Sequence, residues 1–186
     1  MGVQVTNQWL VIDQLREADV LRTLYEQLEQ PAVERLYDGT AFDSLRTESP
    51  LVIDINASGA DSLVRAFRDG LWRDSGMIIE GVRETPEVLA HLRSLVTVTP
   101  PGRLPSLFRF YSPRVLSGLR PALSDHDIAR LLGGCQRWLW YSQGEQQQLI
   151  QPEHSACSLD PGQGFPMGEA HMNALRHAYT KEGNPA

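Results

Sequence analysis

Asn56-Ala57-Ser58-Gly59 is the first place to look for chemistry. A serine between a strand-like run and a helix-like run sits where an α/β hydrolase holds its nucleophile. The segment lacks the first glycine of a G-x-S-x-G elbow, so the serine reads as the cap of the helix that follows rather than as a nucleophile. His126 lies between Asp125 and Asp127 with no further ligands at fitting spacing, the pattern of an acidic, solvated first helical turn. His171 and His177 are about 600° apart around a helix, so they share no face, and no H-E-x-x-H pair exists. Gly162-x-Gly164-x-x-x-Gly168 has neither dinucleotide-binding nor P-loop spacing and no strand before it. Cys135 has no partner motif and reads as a small buried hydrophobe. Asp13, Asp38 and Asp54 stand near strand ends, where turns and caps use aspartate as readily as active sites do. Trp9, Trp72, Trp138 and Trp140 read as core or interface residues rather than cofactor stackers. No catalytic residue, metal site or cofactor is expected, and binding is favoured over catalysis.

The elements that must position these groups alternate between apolar runs and helical periodicity. Trp9-Leu10-Val11-Ile12, Leu51 to Ile55 and Gly76 to Ile79 read as strands. Glu17 to Gln30 reads as a helix with Val20, Leu21, Leu24 and Leu28 on one face, ended by Pro31. A second helix starts at Ser58 or Gly59 and buries Leu63, Val64 and Phe67. Thr85-Pro86-Glu87 reads as a capped helix start, with Thr85 the cap. Val96 to Val98 and Leu107 to Phe110 read as short strands, antiparallel because Pro100-Pro101-Gly102 leaves no room for a crossover. Ser112-Pro113 opens a short helix, and Ser124 caps another that ends at Gly133. Gln136 to Tyr141 reads as a last strand, with Trp138 and Trp140 on one face and Leu139 and Tyr141 on the other. This alternation implies an α/β domain over residues 1–142 with a mixed, largely parallel sheet flanked by helices. Residues 143–186 read as a Gln/Pro/Gly-rich linker and a short C-terminal helix with Met172, Leu175 and Tyr179 as a narrow apolar stripe.

The chain has 186 residues, enough for one domain with a sizeable core. Its 17 basic and 23 acidic side chains give a net charge of −6, which argues against general nucleic-acid binding. Two cysteines are too few for a disulfide framework or a cysteine-only zinc site. No apolar run has membrane-spanning length, and the first residues carry no signal-peptide pattern, so a cytoplasmic location and no membrane partner are expected. The charge is uneven: residues 101–150 hold 6 basic and 3 acidic side chains, a basic island in an acidic chain. Arginine-rich surface of this kind suits a protein interface or a solvated face.

Leu107-Phe108-Arg109-Phe110-Tyr111-Ser112-Pro113-Arg114-Val115-Leu116 resembles the F-R-[FY]-[YW]-D-P-R-V hallmark of the adaptor chaperones of bacterial type VI secretion, the TAP or TEC proteins. Gly70 to Ile78 is similar to that family's G-W-x-x-S-W-G-I segment, Tyr37-Asp38-Gly39-Thr40 to its early turn, Leu51 to Ile55 to its P-x-L-V-x-L strand and Gly133 to Leu139 to its G-P-I-x-x-W strand. The resemblance covers about residues 9–142. Ser112 stands where the family has aspartate, Gly134-Cys135 where it has Gly-Pro, and the second tryptophan of its S-W-G is absent.

The resemblance implies a carrier: a non-catalytic protein that holds a toxic effector and loads it onto the VgrG spike or its PAAR tip. The residues expected to meet partners are Arg103, Arg109, Tyr111, Arg114 and Arg137 in the domain and Met172, Leu175 and Tyr179 in the terminal helix. Arg109 is open to two roles, a structural ion pair or a partner contact. Tyr111 suits either core or rim, and Arg114, early in a helix, calls for a carboxylate or carbonyl partner. An immunity-type toxin-binding protein and a small α/β hydrolase using Ser58 or a strand-end aspartate are the competing expectations.

Overall fold

Residues 137–142 show how the core is divided: Trp138 and Trp140 turn to one face of the strand, Leu139 and Tyr141 to the other, and all four are buried. A computed structural model describes residues 6–17, 19–56, 61–152 and 164–181. Within them, six strands form one sheet in the order β2-β3-β1-β4-β7-β8. They are β1 Asn7–Ile12, β2 Ala32–Arg35, β3 Leu51–Asp54, β4 Gly76–Gly81, β7 Arg137–Ser142 and β8 Glu145–Ile150. The helices α1 Val20–Gln27 and α2 Asp61–Asp69 pack on one face. The other face carries α3 Thr85–Leu95, α4 Pro113–Leu119, α5 Asp125–Leu132 and α6 Glu169–Lys181. A separate two-stranded ribbon, β5 Thr97–Val98 with β6 Ser106–Leu107, joins that second layer.

Strand periodicity of two makes this three-layer arrangement possible. Trp9, Ile79, Trp138 and Leu149 form one cross-strand row, and Val52, Val11, Met77 and Trp140 form the next, both facing the four-helix side. Ile53, Leu10, Ile78 and Leu139 face α1 and α2. The central β4 is buried along its whole length because helices cover both faces and strands flank both edges.

The sheet is α/β in its layers but not largely parallel: every strand pair in it is antiparallel. Strand–helix alternation suggested parallel crossovers, and β3-α2-β4 does run as one. Its two strands point the same way, yet β1 lies between them and pairs with both, so the parallel strands never touch. The hairpins β2–β3 and β7–β8 extend the alternation outward. β5 and β6 are antiparallel neighbours, as their short connection requires.

The first part of the expected linker is also different. Residues 145–150 form β8, paired along its length with β7, so the sheet runs across position 142. The turn between them uses Gln143 (φ 52) and Gly144 (φ 80), two residues with positive φ, as a type I′ hairpin requires. At α3 the N-cap is Glu84 rather than Thr85, and its N–H donates to the Glu87 carboxylate. The Thr85 hydroxyl instead accepts from Trp9 Nε1 at 3.0 Å and donates to Asp54. Leu21 lies on the outer side of α1, while Val20, Leu24 and Leu28 are buried. Ser124 caps α5 through the Asp127 N–H, and Gly133 ends it in the left-handed conformation. The start of the second helix, with Ser58, and also Cys157 and Gly162, lie outside the described residues.

His91 on α3 bonds through Nε2 to the Leu131 carbonyl of α5, tying two helices of one layer together. Burial lowers its pKa, and the nearby Arg83 lowers it further. The unfolded chain therefore takes up a proton near pH 6.5 while the folded chain does not, so stability falls as pH drops below about 6.5. Between pH 7.5 and 5.5 the wild type is expected to lose up to about 1 kcal/mol more than His91→Gln. Urea unfolding at the two pH values checks this, and equal losses would remove the contribution of His91.

Candidate functional site

The segment from Leu107 to Leu119 is a strand, a turn and a helix in thirteen residues, and local chemistry shapes each part. Phe108 N–H donates to Val96 O at 2.8 Å, which ends the ribbon. Ser112 N–H donates to Arg109 O at 3.0 Å and closes the turn. Pro113, with its fixed φ and missing N–H, then occupies the first helical position, where no donor is needed. Ser112 is the N-cap, but its side chain makes no capping hydrogen bond.

Alternation at the turn separates the apolar from the charged side chains. Phe108 stacks on Phe165 with centroids 5.6 Å apart, and Phe110 packs on Trp138 at 5.5 Å. Arg109 points the other way and pairs through Nη2 with Asp13, at the end of β1. The Asp13 side chain is 1% exposed and that of Arg109 42%, so the pair reaches from the interior to the surface. Asp13 also accepts from the Leu15 N–H at 3.3 Å, and its own N–H donates to Ser75 O at 2.8 Å, next to the start of β4. Beside the pair, the Tyr111 and Tyr37 hydroxyls hydrogen-bond at 2.5 Å. Burial, then the bond to Tyr37, raises the Tyr111 pKa, and burial raises that of Tyr37, so both stay protonated. Tyr111 is therefore core, and Arg109 holds the structural ion pair.

The second assembly lies on α4 and α6. The Arg114 guanidinium sits over the Tyr179 ring, 4.1 Å from its centroid. Met172 and Leu175 are partly buried against the core, Leu175 next to Gly118 of α4, and Tyr179 stays exposed. Gly118 sets the closeness of the two helices: a Cβ there would stand 2.6 Å from the Ala178 Cβ and 3.7 Å from Leu175 Cδ2. His171 pins the start of α6. Its Nδ1 accepts from the Gly168 N–H at 3.1 Å, so Nε2 carries the hydrogen and faces the Asp127 carboxylate at 3.4 Å. Burial pushes the Asp127 pKa up, but hydrogen bonds from Ser124 and the contact with His171 outweigh it and bring it down.

The expected partner residues thus fall into separate places. Arg114, Met172, Leu175 and Tyr179 come together on the α4–α6 face, and Arg109 and Tyr111 meet at the end of β1. Arg103 is exposed at the tip of the β5–β6 ribbon beside Leu104, which is 83% exposed. Arg137 lies at the opposite end of the sheet from Arg109, donating through Nε at 2.8 Å and Nη2 at 2.5 Å to one oxygen of Glu80. Glu80 also accepts from Gln8 at 2.9 Å. His126 and His177 are exposed, and among the described residues no group of His, Cys, Asp and Glu converges as a metal ion requires. Burial pushes the Cys135 thiol up to about 11, which leaves it protonated and unreactive. Glu80, Gly118 and Phe165 are absent from the sequence expectations, and Tyr37 enters them only as part of a turn. Gly118 alone left a local signal, as a glycine inside a helical pattern.

A family model described as "Domain of unknown function (DUF4123)" matches residues 8–130. No curated protein and no solved structure matches the chain. The matched span holds the Asp13–Arg109 pair and α4, while β7, β8 and α6 follow it.

The close approach at Gly118 is testable by moving one methyl across the interface. Gly118→Ala is expected to destabilise the chain by about 1–3 kcal/mol through overpacking and to speed proteolysis within α6. Adding Ala178→Gly is expected to restore much of the loss. Thermal unfolding and limited proteolysis of the three variants check this, and equal protease resistance in Gly118→Ala would contradict the docking.

Proposed function

The chain belongs to the DUF4123 family, and on that premise we propose that it is a non-catalytic adaptor chaperone of bacterial type VI secretion. It binds a toxic effector in the cytoplasm and delivers it to the VgrG spike or its PAAR tip. The observation that carries this reading is the division of labour among its side chains. Four carboxylates that lie in or near the interior are tied into the fold: Asp13 with Arg109, Glu80 with Arg137, Asp54 with Thr85, Asp127 with His171. Open to solvent are large apolar side chains, Leu15, Leu21, Tyr25, Leu104 and Tyr179.

A surface of that kind supports binding rather than turnover. Leu21 and Tyr25 are four apart on α1 and share its outer face, the spacing by which a helix offers an apolar stripe to a partner. Leu104 and Tyr179 lie across the sheet, in the layer opposite α1, which gives an adaptor two faces for two partners. Among the described residues no helix is long and apolar enough to cross a membrane.

Co-expression with the spike protein and the effector encoded beside this chain, followed by pull-down, tests the reading. The wild type is expected to recover both. Leu21→Asp/Tyr25→Asp on α1 is expected to lose one partner and keep the other. Recovery of the effector without the spike would favour a toxin-neutralising role, and recovery of neither would overturn the proposal.

A further inference from the structure

The two edges of the sheet are treated differently. An exposed strand edge is a template for pairing with another strand, and proteins ordinarily blunt it with proline, charge or short length. β2 follows that rule. It has four residues, follows Pro31 and carries Glu34 and Arg35. Arg93 of α3 reaches over it, donating to Arg35 O at 3.1 Å and lying 3.6 Å from the Glu34 carboxylate. β8 is less protected, with Glu145 at its start and Arg120 on its helix-covered side. It is six residues long, with no proline inside it and one charged residue, Glu145, at its first position. Among the described residues no strand pairs with its outer edge.

The side chains of β8 are also sorted by face. Gln147 and Leu149 turn to the side covered by helices, where Arg120 donates to Gln147 at 2.5 Å and Leu149 is buried. Gln146, Gln148 and Ile150 turn to the other side, where Ile150 is 55% exposed. An apolar side chain at the end of an open strand is what an added strand would cover.

We propose that β8 is the docking edge for a second copy of this chain, the two β8 strands pairing antiparallel across a two-fold axis at Gln148. The strand's own sequence picks out this occupant and this register. With the axis perpendicular to the sheet, residues directly opposite lie on the same face. Centring the axis on Gln148 places Gln148 against its counterpart, amide to amide. Ile150 then lies against the aliphatic part of Gln146, Leu149 against Gln147, and Glu145 against Gln151. No like charges oppose each other: the two Glu145 side chains sit six residues apart along the strands, about 20 Å, beyond the screening length. The Gln148 pair lies on the open face, and the two Leu149–Gln147 pairs lie on the helix side, next to the Arg120–Gln147 contact. The row Ile53–Leu10–Ile78–Leu139–Gln148 continues into the second copy, and the two sheets become one of twelve strands.

A residue on the axis meets itself, so charge exchange at Gln148 tests the register without touching the core. Sedimentation equilibrium of the full chain is expected to give a dimer for the wild type. Gln148→Lys and Gln148→Glu each place like charges about 5 Å apart and are expected to be monomeric. Mixed in equal amounts, the two variants are expected to form the heterodimer. A monomeric wild type at all accessible concentrations would overturn the proposal. So would a dimer that persists in both variants, or a mixture that stays monomeric. Near-UV circular dichroism of each variant shows that the fold is retained.

Discussion

A carboxylate withdrawn from water has to be answered by a cation, and Asp13 imposes that requirement at the end of β1. Its side chain is 1% exposed, and the guanidinium that answers it comes from Arg109, 96 residues further along. Removing one member of such a pair leaves an uncompensated charge inside, so the two residues constrain each other more strongly than either is constrained locally. The path of the chain around the pair follows. Arg109 must face Asp13 while Phe108 and Phe110, on either side of it in the turn, face the core. The turn closed by Ser112 then releases the chain into α4.

From α4 the constraint passes to the rest of the second helical layer. Gly118 lets α6 approach until Ala178 fills the space above it, and Arg114 covers the ring of Tyr179. The segment from Arg109 to Gly118 thus joins an inner ion pair to an outer helix docking surface within a dozen residues. Its conspicuous residue types, Arg109, Tyr111 and Arg114, make contacts within the fold.

What could be read in the sequence was what depends on near neighbours. The tryptophan alternation of β7, the Ser124 cap, the Gly133 stop and the antiparallel ribbon around Pro100-Pro101-Gly102 each follow from residues a few positions apart. The direction of strands in the sheet does not. Helix-linked β3 and β4 are parallel as a local reading expects, but β1 was already in place between them, and its pairing is a non-local fact. The glutamine-rich stretch differs for another reason: its composition suits a linker, and a Gln-Gly pair is a weaker turn signal than Asn-Gly or Asp-Gly, so the β7–β8 hairpin shows in the strand pairing rather than in the local sequence. The site divided in the same way. Arg109 was open to an ion-pair or a partner role because Asp13 is distant in sequence. Arg137, read with it as part of a basic face, has its own partner in Glu80 at the other end of the sheet.

The central claim is that Asp13 and Arg109 act as one unit that positions the strand–turn–helix segment. A double-mutant cycle with Asp13→Asn, Arg109→Gln and the double variant, read by urea unfolding at neutral pH, tests it most directly. The account predicts that each single change destabilises the chain and that the two are coupled by at least about 1 kcal/mol, the double variant costing less than the sum. Additive losses, equal within about 0.3 kcal/mol, would show that the two residues act independently and would contradict it.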